Sequence, residues 1–154
     1  MKTQLDEKDL QILRLLQANG RMTNADLARA IGLSAPSTLQ RVRQLELAGV
    51  LKDYVAVLDH ERLGLKVTVF ANIQLSLHQE QPIEQFRRAI EDIPEVIECY
   101  NVSGEHDYLL KVLVRDIRSY EKLVRERLSR IKGVGRITSS IALATYKQSH
   151  RIPL

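Results

Sequence analysis

The side chains best suited to chemistry in this sequence follow Gly32, where hydrogen-bonding residues interleave with apolar ones. Leu39, Val42 and Leu45 recur at helical spacing, which predicts an amphipathic helix over residues 34–48. The polar side of that helix offers hydroxyl, amide and guanidinium groups, which bond to base edges and phosphates in DNA complexes. Its members are Ser34, Ser37, Thr38, Gln40, Arg41, Arg43 and Gln44. We expect Arg41 to face base edges and phosphates with the rest of this set, and Arg43 to point towards phosphate.

A helix of this composition can also be a solvated helix that binds nothing, so the preceding elements decide between the two interpretations. The sequence predicts a first helix over residues 6–19, capped by Asp6 and ended by the left-handed tendency of Asn19-Gly20. A short helix over residues 24–31 is capped by Thr23. Pro36 suits the first turn of the third helix. This order predicts a three-helix helix-turn-helix unit that docks on double-stranded DNA.

The energetics of base recognition favour more than one copy. Each good base contact supplies about 1–3 kcal/mol of discrimination. A specific regulator needs about 4–10 kcal/mol over non-specific DNA. Because one such helix reaches only the low end of that range, we expect an oligomer.

Composition places the chain among globular proteins and excludes several other classes. Its 154 residues are 44% hydrophobic, carry a net charge of +4 and include one cysteine, Cys99. The start is not a signal peptide and no apolar run is long enough for a bilayer, so a cytoplasmic protein is expected. His60, His78, His106 and His150 lack ligand spacing and no CxxC pattern occurs, so neither a metal nor a cofactor is expected.

The remainder of the chain changes from helical to strand periodicity. A strand is predicted over residues 50–58, a linker over 59–64 and an alternating strand over 67–76. Helices opened by Pro82 and capped by Asp116 are each followed by a strand. The predicted segments of the second half are a helix holding Ile83, Phe86, Ile90 and Ile93, strands over 96–103 and 107–115, a helix holding Ile117, Tyr120, Val124, Leu128 and Ile131 up to Gly133, and a strand over 136–146.

This order of elements predicts an α+β fold in which a winged-type helix-turn-helix domain precedes a ferredoxin-like βαββαβ domain. The predicted boundaries are 1–50 for the first domain, 51–64 for the connection and 65–154 for the second domain. One face of the sheet lacks helices. The strands hold several large apolar residues, namely Val67, Val69, Ile73, Val112 and Val114. We therefore expect a partner subunit to cover that face.

Several short motifs, in order and at the expected spacing, resemble the Lrp/AsnC family of transcription regulators of bacteria and archaea. The N-terminal motifs are Leu5-Asp6-Glu7-Lys8-Asp9-Leu10-Gln11-Ile12-Leu13, Asn19-Gly20-Arg21, Ile31-Gly32-Leu33-Ser34, Arg41-Val42-Arg43-Gln44-Leu45-Glu46 and Ala48-Gly49-Val50. The C-terminal motif is Val102-Ser103-Gly104-Glu105-His106-Asp107-Tyr108-Leu109-Leu110. The resemblance implies dimers that pair their sheets, higher assemblies such as octamers, and an amino-acid effector. Through the G-x-x-D-Y motif it places Gly104, Asp107 and Tyr108 at the effector site.

Simple chemistry is compatible with this effector site. A glycine admits close backbone approach, and a carboxylate can pair with an α-ammonium group. The candidate set is Tyr100, Gly104, Glu105, His106, Asp107, Tyr108, Thr138 and Ser140. Alternatives stay open: the loop over residues 104–108 can be a plain hairpin, Thr138 and Ser140 can face solvent, and Tyr100 can belong to an interface.

Three functions accord with the sequence to different degrees. The preferred one is a transcription regulator whose DNA binding and assembly respond to a small effector, expected to be an amino acid. The alternative is an architectural protein that compacts DNA without a ligand. An enzyme is disfavoured because the sequence has no nucleophile beside a base, no phosphate-binding loop and no metal cluster.

Overall fold

The structure is a computed structural model that describes residues 5–76 and 80–154, with the side chains of residues 80–82 outside that description. The chain divides into two compact units. Unit 1 contains the residues up to Val57 together with Lys147–Leu154, and unit 2 is Leu58–Tyr146. These divisions differ from the predicted domain boundaries, which left the last eight residues with the second domain. Among the described helices, none is long and apolar enough to cross a membrane.

Unit 1 is built on three helices: α1 (Glu7–Ala18), α2 (Asn24–Ile31) and α3 (Ala35–Leu47). The predicted caps are confirmed, because the side chains of Asp6, Thr23 and Ser34 each accept a backbone N–H of the following turn. The predicted cause of the end of α1, a left-handed residue at Asn19-Gly20, is wrong. Asn19 is extended, with φ −149° and ψ 95°, so no left-handed residue stops this helix.

The core of unit 1 lies where the three helices meet. It is formed by Ile12, Leu13, Leu16, Leu27, Ile31, Val42 and Leu45. The C-terminal segment lies against α1. Gln17 accepts the N–H of Ile152 at 2.7 Å and donates to its carbonyl at 3.3 Å. Arg151 donates to the carbonyl of Ala18. The two ends of the chain therefore share one unit.

The strand predicted over residues 50–58 is absent. Strand periodicity forms a ladder only when a second strand supplies hydrogen-bonding partners, and no described strand pairs with this stretch. The segment is nevertheless anchored at two points. Leu51 packs against the core of unit 1. Tyr54 contributes to a groove with Met22 and Leu39, and its hydroxyl donates to Glu46 at 3.2 Å. The aromatic side chain therefore attaches this irregular segment to the helices of unit 1.

Unit 2 has the predicted βαββαβ order. Its elements are β1 (Val67–Leu75), α4 (Glu80–Glu91), β2 (Val96–Asn101), β3 (Tyr108–Val114), α5 (Ile117–Glu126), a 3-10 turn (Leu128–Arg130) and β4 (Val134–Ile141). The strands form one antiparallel sheet in the order β2-β3-β1-β4. The cap at Asp116 is confirmed by its bond to the N–H of Ser119.

One face of the sheet is packed under the helices of unit 2. Alternate residues of β1 and β3 are buried there, and they meet Phe86 and Ile90 of α4 and Leu123 of α5. Five apolar residues were expected on the face without helices. That expectation is wrong, because all five lie on the face that the helices cover. Their full set is Val67, Val69, Ile73, Val112 and Val114.

The uncovered face carries different residues. Strand register puts Phe70 beside Lys111 of β3 and Ser140 of β4, and it puts Asn72 beside Leu109. Phe70 is 37% exposed and Tyr100 is 51% exposed. This face is a mixture of apolar, polar and charged groups rather than a purely apolar one.

Two elements of unit 2 end earlier than predicted. The helix α5 stops at Glu126 and gives way to the 3-10 turn, so Gly133 does not break it. Ile117 is 59% exposed, so its expected inward orientation is wrong. The strand β4 ends at Ile141, and beyond it the N–H of Ala142 still donates to the carbonyl of Thr68 in β1 at 2.9 Å. The residues up to Tyr146 extend beyond the sheet.

Candidate DNA-binding surface and effector site

The placement of α3 follows from its local sequence. Gly32 adopts a left-handed conformation, with φ 69°, and ends α2. Two residues later the hydroxyl of Ser34 accepts the N–H of Ser37 at 3.3 Å and starts α3. Pro36 lies in the first turn. Since the connection between the two helices is this short, α3 is held firmly against α2.

The predicted polar residues of α3 differ in exposure. Ser34, Gln40, Arg43 and Gln44 are exposed, and Ser37 and Arg41 are half-buried. Gln40 and Arg43 lie on the side of α3 opposite Val42 and Leu45, which are buried in the core of unit 1. Gln44 adjoins them. The helix therefore offers amide and guanidinium groups to a partner while its apolar side stays packed.

Thr38 departs from its predicted orientation. Its side chain is 0% exposed, so the expectation that it faces outward is wrong. The hydroxyl donates to the carbonyl of Ser34 at 3.0 Å, which satisfies it inside the protein. The helical period places residue 38 one turn before Val42, and this position decides its burial more strongly than its polarity does.

Arg41 is also oriented differently from the expectation. Its Nη1 atom lies 2.7 Å from Asp6 Oδ2 and 2.8 Å from Asp9 Oδ1. The arginine side chain is 29% exposed. These two acids raise the pKa of Arg41, while the N–H of Asp9, followed by the Arg41 guanidinium, lowers the pKa of Asp6. The guanidinium predicted to face base edges and phosphates is therefore engaged by α1.

Some exposed residues of unit 1 were not in the predicted DNA-binding set. Leu47 is 88% exposed and shares the outer side of α3 with Gln40. Arg29 of α2 has a side chain that is 79% exposed and pairs with Asp26 at 3.1 Å. Leu47 could have been predicted on the outer side of α3 because it follows Gln40 by two helical turns. Arg29 could have been predicted as exposed because it is the basic residue in the last turn of α2.

The loop between β2 and β3 holds most of the candidate effector residues. Gly104 has φ 123°, a conformation that favours glycine, and Gly104 and Glu105 are exposed. Asp107 closes the loop: its N–H donates to Ile73 O at 2.9 Å, and its Oδ2 accepts the N–H of Leu75 at 2.7 Å. Asp107 therefore ties the start of β3 to the end of β1.

Tyr108 and His106 lie deeper than the rest of this loop. Tyr108 is 6% exposed, and its ring lies 4.6 Å from the ring of Phe86, centroid to centroid. Burial is the main reason that the pKa of Tyr108 is raised. Its side chain therefore belongs to the core under α4, and the effector contact assigned to Tyr108 stays a prediction. The Nδ1 atom of His106 is buried without a hydrogen bond among the described residues.

The structure separates two groups of predicted effector residues. Tyr100 pairs with Leu109, which pairs with Asn72, which pairs with Thr138. Tyr100 and Thr138 thus occupy one row across the uncovered face but sit on its opposite edge strands. Three strand spacings of about 4.8 Å lie between them, which is wider than one amino acid. Ser140 is exposed on the same edge strand as Thr138.

Acid, histidine and cysteine side chains do not form a metal site in the described residues: no three of them group closely enough. His78, one of the four histidines considered, lies outside those residues. Cys99 is exposed, and partial desolvation of its thiol raises its pKa.

The chain matches known proteins over nearly its whole length. The winged helix-turn-helix DNA-binding family matches residues 5–52, and the Lrp/AsnC ligand binding domain matches residues 68–152. Transcriptional regulator AzlB of Bacillus subtilis is 35% identical, covering 100% of this chain and 98% of that protein. The leucine-responsive regulatory protein of Escherichia coli K12 is 39% identical, covering 96% and 90%.

A solved structure agrees with these sequence matches. A transcriptional regulator of Neisseria meningitidis, determined as a complex with L-Met, is 33% identical, with a TM-score of 0.93 and 97% coverage of both chains. The helix-turn-helix unit, the ligand-binding unit and their order in the chain all coincide with these proteins. The chain belongs to the Lrp/AsnC family of transcriptional regulators.

Proposed function

We propose that this protein regulates transcription by binding specific DNA sequences through the outer side of α3, in a manner tuned by an amino acid. The observation that carries the proposal is the division of α3 into two sides. Gln40, Arg43 and Gln44 are exposed, while Val42 and Leu45 are buried in a three-helix core. Amides and guanidinium groups on a rigidly held helix suit base edges and phosphates.

The amino-acid part of the proposal rests on the relatives and on the loop of unit 2. One structural relative is solved with L-Met, and one sequence relative is named a leucine-responsive regulatory protein. The exposed loop at Gly104 offers backbone N–H groups for a carboxylate, and Glu105 and Asp107 supply negative charge for an ammonium group. A regulatory rather than catalytic role accords with these relatives.

Assembly of several copies is part of the same proposal. The uncovered sheet face exposes Phe70 and Tyr100, and a second copy would remove this apolar surface from water. Tyr100 and Thr138 are too far apart to hold one amino acid within a single chain, which supports a ligand site completed by another copy. We propose a homodimer that assembles into an octamer or a higher form.

A selection experiment tests this function. DNA bound by the purified protein is enriched from a random pool, and its affinity is measured with and without each of the twenty amino acids while light scattering reports the assembly. We expect an enriched sequence and at least one amino acid that changes both affinity and size. Binding without sequence preference that no amino acid alters, and that falls steeply with salt, would favour an architectural protein instead.

A further inference from the structure

The contact between α1 and α3 is built from two acids that each perform two tasks. Asp6 accepts the N–H of Asp9 on Oδ1 at 2.9 Å, and Asp9 accepts the N–H of Asp6 on Oδ2 at 3.1 Å. The remaining oxygen of each carboxylate accepts from Arg41 Nη1, at 2.7 Å for Asp6 and 2.8 Å for Asp9. All four carboxylate oxygens are thus used, two to begin α1 and two to hold α3.

This arrangement fixes the start of α1 to the middle of α3. The Asp9 side chain is only 15% exposed and that of Arg41 only 29%, so water screens the contact less than it screens an ordinary surface pair. In the sequence, Arg41 is 35 residues from Asp6 and 32 residues from Asp9, so the contact links two helices rather than residues of one turn. A change in it alters how α3 is presented to a partner.

Charge supports a role inside the protein rather than on DNA. Arg41 is flanked by two carboxylates, which together outweigh its single positive charge and would repel phosphate. Arg43, two residues further on, is exposed, and no ion pair of Arg43 occurs among those found in the described residues. Of the two arginines of α3, Arg43 is therefore the one suited to DNA.

We propose that Arg41 is a positioning residue, which with Asp6 and Asp9 sets the orientation of α3 for DNA binding and does not itself contact DNA. The inference rests on the proposed function, because it assumes that α3 binds DNA. It concerns which arginine does so and how the helix is oriented.

The test measures affinity for the selected DNA over a series of salt concentrations. Removing a residue that contacts phosphate reduces the magnitude of the negative slope of log K against log salt by about 0.9. We expect Arg43→Ala to show this reduction. We expect Arg41→Ala to weaken binding about tenfold with an unchanged slope. Arg41→Lys keeps one charged nitrogen, as Nη1 is the one atom that meets both acids, and it should recover part of the affinity.

Asp9→Asn separates positioning from simple electrostatics by the sign of its effect. Removing a negative charge near DNA should strengthen binding if charge alone matters. The proposal predicts weaker binding, because asparagine has one acceptor oxygen and cannot accept from both the N–H of Asp6 and Arg41. Asp26→Asn is the matched control, since the Asp26 carboxylate accepts from the hydroxyl of Thr23 and pairs with Arg29, both outside α3. That variant should bind as well as the wild type or more tightly.

The double variant Asp9→Asn with Arg41→Ala completes the test. If Arg41 acts through Asp9, the two reductions in affinity are not additive. All measurements are made below the melting transition of the least stable variant, recorded by circular dichroism. If Arg41→Ala does not fold, Asp9→Asn and Arg41→Lys still decide the outcome.

Two results would overturn the proposal. One is an Arg41→Ala slope reduced as much as that of Arg43→Ala, which marks a phosphate contact. The other is tighter binding by Asp9→Asn. A wild-type protein that selects no DNA would instead contradict the proposed function itself, so the two failures are distinguishable.

Discussion

The Oδ2 atom of Asp107 lies 2.7 Å from the backbone nitrogen of Leu75 and accepts its N–H. Leu75 is 3% exposed, so its amide has little access to water if this bond is broken. The acid that the G-x-x-D-Y motif assigns to a ligand therefore already stabilises the sheet. Any experiment on this residue has to separate the two roles.

Asp107→Ala and Asp107→Asn make that separation. The alanine leaves the amide of Leu75 without an acceptor, and we expect a decrease of about 1–3 kcal/mol in the free energy of unfolding. The asparagine keeps an acceptor oxygen and removes the charge, so it should unfold near the wild type in urea. If Asp107 also pairs with an ammonium group, Asp107→Asn abolishes the response to the amino acid. A full response in that variant would limit Asp107 to its structural role.

Thr38 gives a second test, in which stability and DNA binding should separate. Thr38→Val preserves the shape of the buried side chain and removes the hydroxyl that donates to Ser34. The free energy of unfolding should fall by about 1 kcal/mol, as for other internal hydrogen bonds. Affinity for the selected DNA should stay within about twofold, measured by fluorescence anisotropy. A large decrease in affinity in a variant that remains folded would show that the hydroxyl faces DNA after all.

Thr38 and the Asp107–Leu75 bond show what the sequence does not reveal directly. The caps at Asp6, Thr23, Ser34 and Asp116 were predictable because each joins a side chain to a backbone amide three residues away. The alternation of β1 was equally local. Thr38 was predicted wrongly because polarity is a weaker guide to its burial than its position in the helical turn. The Asp107–Leu75 bond joins residues 32 apart, and strand pairing alone brings them together.

The segment over residues 50–58 was predicted wrongly for a related reason. Its alternation resembles that of β1, yet β1 has strands on both sides and this segment has none among the described residues. Periodicity describes how a strand distributes its side chains and does not provide the neighbour it needs.

The third prediction concerns the outer side of α3. Gln40→Ala and Gln44→Ala remove amides that can read base edges while leaving the charge of the helix unchanged. Removing an amide that bonds to a base should reduce discrimination between preferred and altered DNA by about 1–3 kcal/mol. The measurement repeats the selection from a random pool with each variant and compares the enriched positions. A preference identical to that of the wild type would exclude the altered amide from base recognition.

The fourth prediction is a pH dependence at Tyr54. Partial burial, followed by the hydrogen bond to Glu46, raises the pKa of this phenol to about 12. The fold therefore favours the neutral phenol. Its contribution to the free energy of unfolding is complete below the unfolded pKa of about 10. That contribution disappears as the pH rises towards the folded pKa. Over that alkaline range, the free energy of unfolding of unit 1 should fall further in the wild type than in the Tyr54→Phe variant. Urea unfolding at a series of pH values measures this difference.

A control is available for the alkaline experiment. Tyr146 is 98% exposed, so Tyr146→Phe removes a phenol without removing a packed side chain. That variant should follow the wild type at every pH. Equal pH dependence in the wild type and Tyr54→Phe would show that the groove and Glu46 do not act on the phenol.

The segment Lys147–Leu154 makes unit 1 discontinuous in the sequence. During synthesis from the amino end, the three helices emerge from the ribosome well before the residues that Gln17 and Ala18 bind. The helical unit therefore reaches its final set of contacts only after the whole ligand-binding unit has been translated. Completion of the DNA-binding unit in this way waits for translation of residues 147–154.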